Sequence, residues 1–316
     1  MKFLTAAAMS CVLVGPAWAE FPERDITLIV PWAEGGGTDV IARALFADAE
    51  TCMGAPVNVV NRTGATGGTG MTVTASAAPD GYTIGFVTYQ LSAFKMMGML
   101  DLSADDFDLL QLINRSPGAI SVPIDSKWET LDDLMADAIE NPGVVTVGHS
   151  GLGGSWHLAM ATLGQAHKTD FSYVPFNGSS QIQTAMLVHE VDVATTGADE
   201  VKRLADENHV RVLAVIANER VEALPNTPTV GEAGFPLESP IYDWRGIAAP
   251  KGLDPLVKDK LKAGIMACFE REQFQQMATE NAIPLSYADE AGFKAFLEGM
   301  DVALRPVIEA IGLLVD

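Results

Sequence analysis

The stretch Ile26-Thr27-Leu28-Ile29-Val30-Pro31-Trp32-Ala33-Glu34-Gly35-Gly36-Gly37-Thr38-Asp39 decides how this chain is read. Its first five residues are β-formers with only Thr27 polar, the pattern of a strand buried on both faces. Glycines follow, and a helical stretch runs from Asp39 to Glu50. Glycines let a ligand approach the backbone, and Thr38 or Asp39 is placed to cap the helix. Free amides at a helix N-terminus attract an anion without any cationic side chain. The alternative is a tight turn in an ordinary βα unit. A dinucleotide fingerprint would need glycine at position 40, which is Val40, and no Lys-Ser/Thr pair follows for a phosphate loop.

The same strand–loop–helix grammar recurs along the chain. Strands are expected over 56–60, 82–87, 109–113, 119–122, 144–147, 171–174, 191–195, 210–216 and 283–287, with helices at 131–140, 156–164, 180–189 and 198–207. Two long helices, 256–280 and 290–311, close the chain. Alternating strands and helices predict mainly parallel sheets flanked by helices. The length suits two domains, and without a flexible tether they would be joined by strands crossing between them.

Before this pattern comes a leader. Met1-Lys2-Phe3 carries one positive charge, Leu4–Val14 is apolar, and Ala17-Trp18-Ala19 is a small-residue cleavage site, so residues 1–19 read as a secretory signal peptide cut after Ala19. The run is too short to span a bilayer. The whole chain has a net charge of −21; removing the leader takes Lys2 and no acid, which leaves −22. Such acidity argues against nucleic acid and anionic membranes as partners, and any anion must be held against an unfavourable overall field. Of the cysteines, Cys52 and Cys268 remain, either bridged, as an oxidising compartment permits, or as two buried thiols.

Three further loops carry candidate chemistry. Gly148-His149-Ser150-Gly151-Leu152-Gly153-Gly154-Ser155-Trp156-His157 again joins strand to helix. Its Gly-His-Ser is like a nucleophile elbow, but Leu152 stands where that motif wants glycine, and no later Asp and His complete a triad. His157 is either a ligand contact or a helix-packing residue. Val174-Pro175-Phe176-Asn177-Gly178-Ser179-Ser180 offers neutral donors, or a plain cap at Ser179. Asp199 either receives an ammonium or hydroxyl group or caps its helix. No metal-binding spacing and no cofactor motif is present.

Together these loops resemble the substrate-binding proteins of the tripartite tricarboxylate transporter family, the Bug proteins. The resemblance is carried by Phe21-Pro22-Glu23-Arg24-Asp25-Ile26, the 29–39 loop, Val59–Gly68, Ala78-Pro79-Asp80-Gly81-Tyr82-Thr83-Ile84, Gly153–Leu158, Val174–Gly178 and Pro225–Gly234. It implies an α/β, two-lobed periplasmic binding protein of the type II-like, Venus-flytrap kind, with a carboxylate held by amides, hydroxyls and water and no required arginine. The expected domains are 20–100 with 222–316, and 101–221. Carried over by position, Pro31, Trp32, Gly37, Thr38 and Asp39 form one wall with Thr88 and Gln90. Ser150, Gly153, Gly154, Ser155, His157, Asn177, Gly178 and Ser179 form the other, with Asp199 beside them. Trp32 and Trp156 are bulky here, either selecting a flat acid or packing the walls.

The expected function is therefore a monomeric, cofactor-free periplasmic protein that presents a di- or tricarboxylate or an aromatic acid to the integral membrane subunits of a transporter. The rivals are a sensor module delivering its ligand to a receptor kinase and a secreted serine hydrolase using Ser150.

Overall fold

The computed structural model describes residues 21–238 and 240–315; the leader expected at 1–19 lies outside them. The first lobe opens with β1 (Ile26–Val30), α1 (Gly37–Leu45), α2 (Ala49–Met53), β2 (Val57–Asn61), α3 (Gly68–Ala75) and β3 (Thr83–Thr88). The chain then enters β4 (Phe107–Pro123), and continues through α4 (Leu131–Glu140), β5 (Thr146–His149), α5 (Ser155–His167), β6 (Ser172–Pro175), α6 (Ser179–Leu187), β7 (Val193–Gly197), α7 (Ala198–Asp206) and β8 (Val210–Ile216). It returns along β9 (Tyr242–Pro250) and ends in α8 (Pro255–Phe269), α9 (Glu272–Glu280), β10 (Leu285–Ala288) and α10 (Glu290–Ala310).

The strands lie in the order β2-β1-β3-β9-β4-β7-β5-β6, with β8 and β10 also paired to β4. Both outer groups, β2-β1-β3 and β7-β5-β6, are parallel, as expected where helices connect successive strands. The centre is antiparallel, because β9 runs back between β3 and β4. The sheet is thus mixed, with parallel pairing confined to the two flanks.

The sequence pattern suggests separate strands at 109–113 and 119–122, but β4 is continuous through Pro117. Residues 107–117 pair with β9, and residues 118–123 pair with β7 and β8. The two halves of the molecule therefore share this strand. β9 has no counterpart in the sequence reading, and the expected 256–280 helix is broken between α8 and α9 at Arg271.

Apolar packing anchors both faces. Trp244 on β9 is fully buried and meets Phe293 of α10 edge-on at 5.5 Å between ring centres. A disulfide joins Cys52 of α2 to Cys268 of α8, with Cα atoms 5.1 Å apart. Among the described residues, no helix is long and apolar enough to cross a membrane.

Candidate functional site

Three of the strand-to-helix turns singled out in the sequence converge on one pocket. It is lined by Trp32, Gly36, Gly37 and Thr38 from the β1–α1 turn, Gln90 after β3, Ser150, Ser155 and Trp156 around α5, and Gly178 and Ser179 at α6. Glu200, Asp243 and Arg245 complete the wall. The space left between these side chains is about 20 Å³, room for about one water molecule.

The turns meet directly across the cleft. The Ala33 amide donates to the Asn177 carbonyl at 3.1 Å, and the Ser180 hydroxyl donates to the Glu34 carbonyl at 3.1 Å. Gly151, at φ +94°, packs against Thr66 so closely that a Cβ would lie 2.6 Å from the Thr66 Oγ1.

The structure corrects the caps expected for α1. Gly36 is the N-cap, and neither Thr38 nor Asp39 caps the helix with its side chain. Thr38 Oγ1 instead accepts from Arg245 Nε at 3.0 Å. Asp39 Oδ2 accepts from the Gly35 amide and from Arg43 Nε, both at 2.9 Å, while Oδ1 accepts from Asn61 at 2.9 Å. Burial alone would raise its pKa, but these bonds outweigh it and hold the carboxyl below its usual range. Asp39 shapes the loop from behind and does not line the pocket.

Others of the expected residues also stand one layer back. Thr88 donates to Gln90 at 2.5 Å and accepts from Trp32 Nε1 at 3.3 Å, so it orients two lining side chains. His157 Nδ1 accepts from the Gly153 amide at 3.2 Å, and its ring packs on His149 and Tyr173. Burial pushes His157 down to about 4; burial, joined by His157 beside it, does the same to His149. Both rings are neutral at pH 7. Gly154 is the N-cap of α5, Pro31 packs behind Gly70, and Asn177 uses its backbone in the cross-cleft bond. Asp199 accepts from the Ser116 hydroxyl and does not line this pocket. Its pKa is raised by burial, with Arg245 opposing and Glu200 reinforcing the rise.

The sequence reading missed the charged group at the centre. Arg245 on β9 is 2% exposed. Its Nη2 lies 2.8 Å from Glu200 Oε1 and 3.2 Å from Asp243 Oδ2. Glu200 also accepts from the Gly37 amide at 3.1 Å and, through Oε2, from the Gly197 amide at 2.7 Å. Its carboxylate thus bridges the N-termini of α7 and α1, where helix dipoles favour negative charge. The one available signal was Asp243 and Arg245 at i and i+2, which share a face of a strand. Burial pushes Asp243 up to about 6 against the pull of Arg245, with Glu200 adding to the rise.

Ser150 Oγ, Arg245 Nη1 and Asp243 Oδ1 are buried without a hydrogen-bond partner. Such groups are costly unless something completes them. Ser150 also has no hydrogen-bonded base, so the elbow-like motif is not assembled as a nucleophile. No cluster of three or more metal-ligating side chains occurs among the described residues.

A family model described as "Tripartite tricarboxylate transporter family receptor" matches residues 41–313. The "UPF0065 protein in tcbD-tcbE intergenic region" of Pseudomonas sp. strain P51 is 33% identical over 247 residues, 78% of this chain and 74% of its own length. The solved structure of the periplasmic binding protein BugD superposes with a TM-score of 0.88 at 25% identity, covering 93% of this chain and 99% of that one. MatC from Rhodopseudomonas palustris with bound malate superposes at 0.84 with 24% identity, covering 91% and 100%.

Proposed function

From a chain that belongs to the tripartite tricarboxylate transporter receptor family, we infer a periplasmic protein that captures a small carboxylate between its lobes and presents it to the transporter's membrane subunits. The family is one of solute-binding receptors, not enzymes. One observation carries the carboxylate reading. The N-terminal turns of α1, α5 and α6 converge on one pocket, and helix N-termini offer amides and positive dipole ends to an anion. MatC, which holds malate, shares the fold; a small dicarboxylate is the corresponding ligand class here.

The lobes in this reading are residues 20–100 with 222–316, and 101–221, with a leader removed after Ala19. Because the closed pocket has no room for a dicarboxylate, the ligand enters an open form. It then favours closure by the difference in its affinity for the two states. Thermal-shift measurement against a carboxylate panel is the test. At about 100 times Kd a ligand adds about 2.7 kcal/mol of stability. Thr38→Ala and Ser155→Ala are expected to weaken binding about tenfold, each removing a hydroxyl from the wall, while the variants remain folded. Unchanged affinity in both would remove these turns from the site.

A further inference from the structure

We propose that the ligand carries a protonated amine beside its carboxylate, and that Asp243 receives the amine while Arg245 receives the carboxylate. The proposal rests on the carboxylate-binding reading above and narrows it.

The pocket holds two carboxylates, Glu200 and Asp243, against one guanidinium, and among the described residues no second cation lines it. Glu200 is fully provided for, by Arg245 Nη2 at 2.8 Å and by the Gly37 and Gly197 amides. Asp243 is not. One of its oxygens shares Arg245 Nη2 at 3.2 Å, and Oδ1 is buried without a partner although the residue is only 6% exposed; the Ser155 hydroxyl beside the carboxylate eases its burial but brings no counter-charge. Asp199 stands just behind and adds negative field without adding a cation. A buried carboxylate left short of a counter-charge is strongly disfavoured.

The same wall leaves a donor without an acceptor. Arg245 Nη1 is buried and unpartnered. An unfilled donor and an unfilled acceptor on neighbouring residues of one strand face call for a ligand with both functions. A simple dicarboxylate would satisfy Nη1 but bring further negative charge to a site already in excess. A hydroxy acid would donate to Asp243 Oδ1 but leave the charge uncompensated. An ammonium group does both.

Calorimetry with skeleton-matched probes tests this: succinate, malate and aspartate; glutarate and glutamate; butyrate and 2-aminobutyrate. Within whichever set binds, the amino member is expected to bind at least about tenfold more tightly than its desamino and hydroxy counterparts. In Asp243→Asn that preference is expected to fall to about twofold or less, with desamino binding equal or stronger. Should Asp243→Asn not fold, as judged by circular dichroism, Asp243→Ser serves the same comparison. If desamino or hydroxy acids bind as well as the amino acids, the ammonium assignment is wrong and carboxylate capture stands. A preference retained in the Asp243 variants places the amine elsewhere and overturns the assignment. If no carboxylate of the wider thermal-shift panel binds, capture itself fails, and this inference with it.

Discussion

Asp243 shows how one side chain couples charge to stability. Burial raises its folded pKa to about 6 from an ordinary 3.8, so the folded state binds its proton more tightly than the unfolded state. Its ionisation therefore costs stability at neutral pH, and that cost is relieved as the pH falls through about 6 toward 4. His149 and His157 act in the opposite direction. Their folded pKa values near 4 leave the unfolded chain the better proton acceptor below about 6.5, so stability drains away as the solution is acidified. The two effects separate in a difference measurement. The stability of wild type minus that of Asp243→Asn, from urea unfolding, is expected to increase on the order of 2–3 kcal/mol between pH 7.5 and pH 4. A difference independent of pH would mean that Asp243 is an ordinary carboxylate.

Residues of this kind mark the limit of what the sequence discloses. Glycine loops announce themselves, because glycine and hydroxyl residues after an apolar strand have a local reason to be there. Gly37, Thr38, Ser150, Ser155, Gly178 and Ser179 were legible on that ground. Arg245 was not. Burying a guanidinium depends on Glu200 and Asp243 arriving beside it in space, and Glu200 lies 45 positions away.

At the level of elements, β9 was the principal omission. Tyr242-Asp243-Trp244-Arg245-Gly246-Ile247-Ala248-Ala249-Pro250 contains Asp, Arg, Gly and Pro, residues that do not read as a buried strand. Its place is fixed by tertiary partners on both edges, β3 and β4. Close packing explains one of those residues. A Cβ at Gly246 would lie 2.3 Å from Phe293 Cζ and 3.1 Å from the Gln111 carbonyl oxygen. Gly246→Ala is expected to destabilise the protein by about 1–3 kcal/mol through overpacking, read as a lower urea midpoint at unchanged m-value. Adding Phe293→Leu should restore part of the loss, whereas a simple sum of the two losses would show that the ring is not what the methyl meets. The division of β4 in the sequence reading has an equally local cause: Pro117 and Gly118 look like a break, yet they sit where pairing passes from β9 to β7 and β8.

For the molecule as a whole, the βα grammar made the fold class legible, while the antiparallel centre was hidden because it is made by segments far apart in the chain. The disulfide reinforces that long-range closure. It spans 216 positions between α2 and α8, both packed on the first lobe, and in the chain-entropy model a loop of this size adds about 5 kcal/mol. Reduction under native conditions is expected to lower the thermal midpoint by several degrees while leaving ligand affinity nearly unchanged, since neither cysteine lines the pocket. A large loss of affinity on reduction would instead tie the bridge to lobe closure.

The position of β9 also sets an order in time. β3 ends at Thr88 and β4 begins at Phe107, but the strand that fills the gap between them starts at Tyr242. A growing chain therefore keeps an open seam in its sheet until about three-quarters of it has been synthesised. Such distant pairing is slow to form, and the unfilled edges of β3 and β4 are sticky in the meantime. A chain cut short before residue 242 leaves the facing edges of β3 and β4 without the strand that joins them, and is expected to aggregate rather than to fold as half of the molecule.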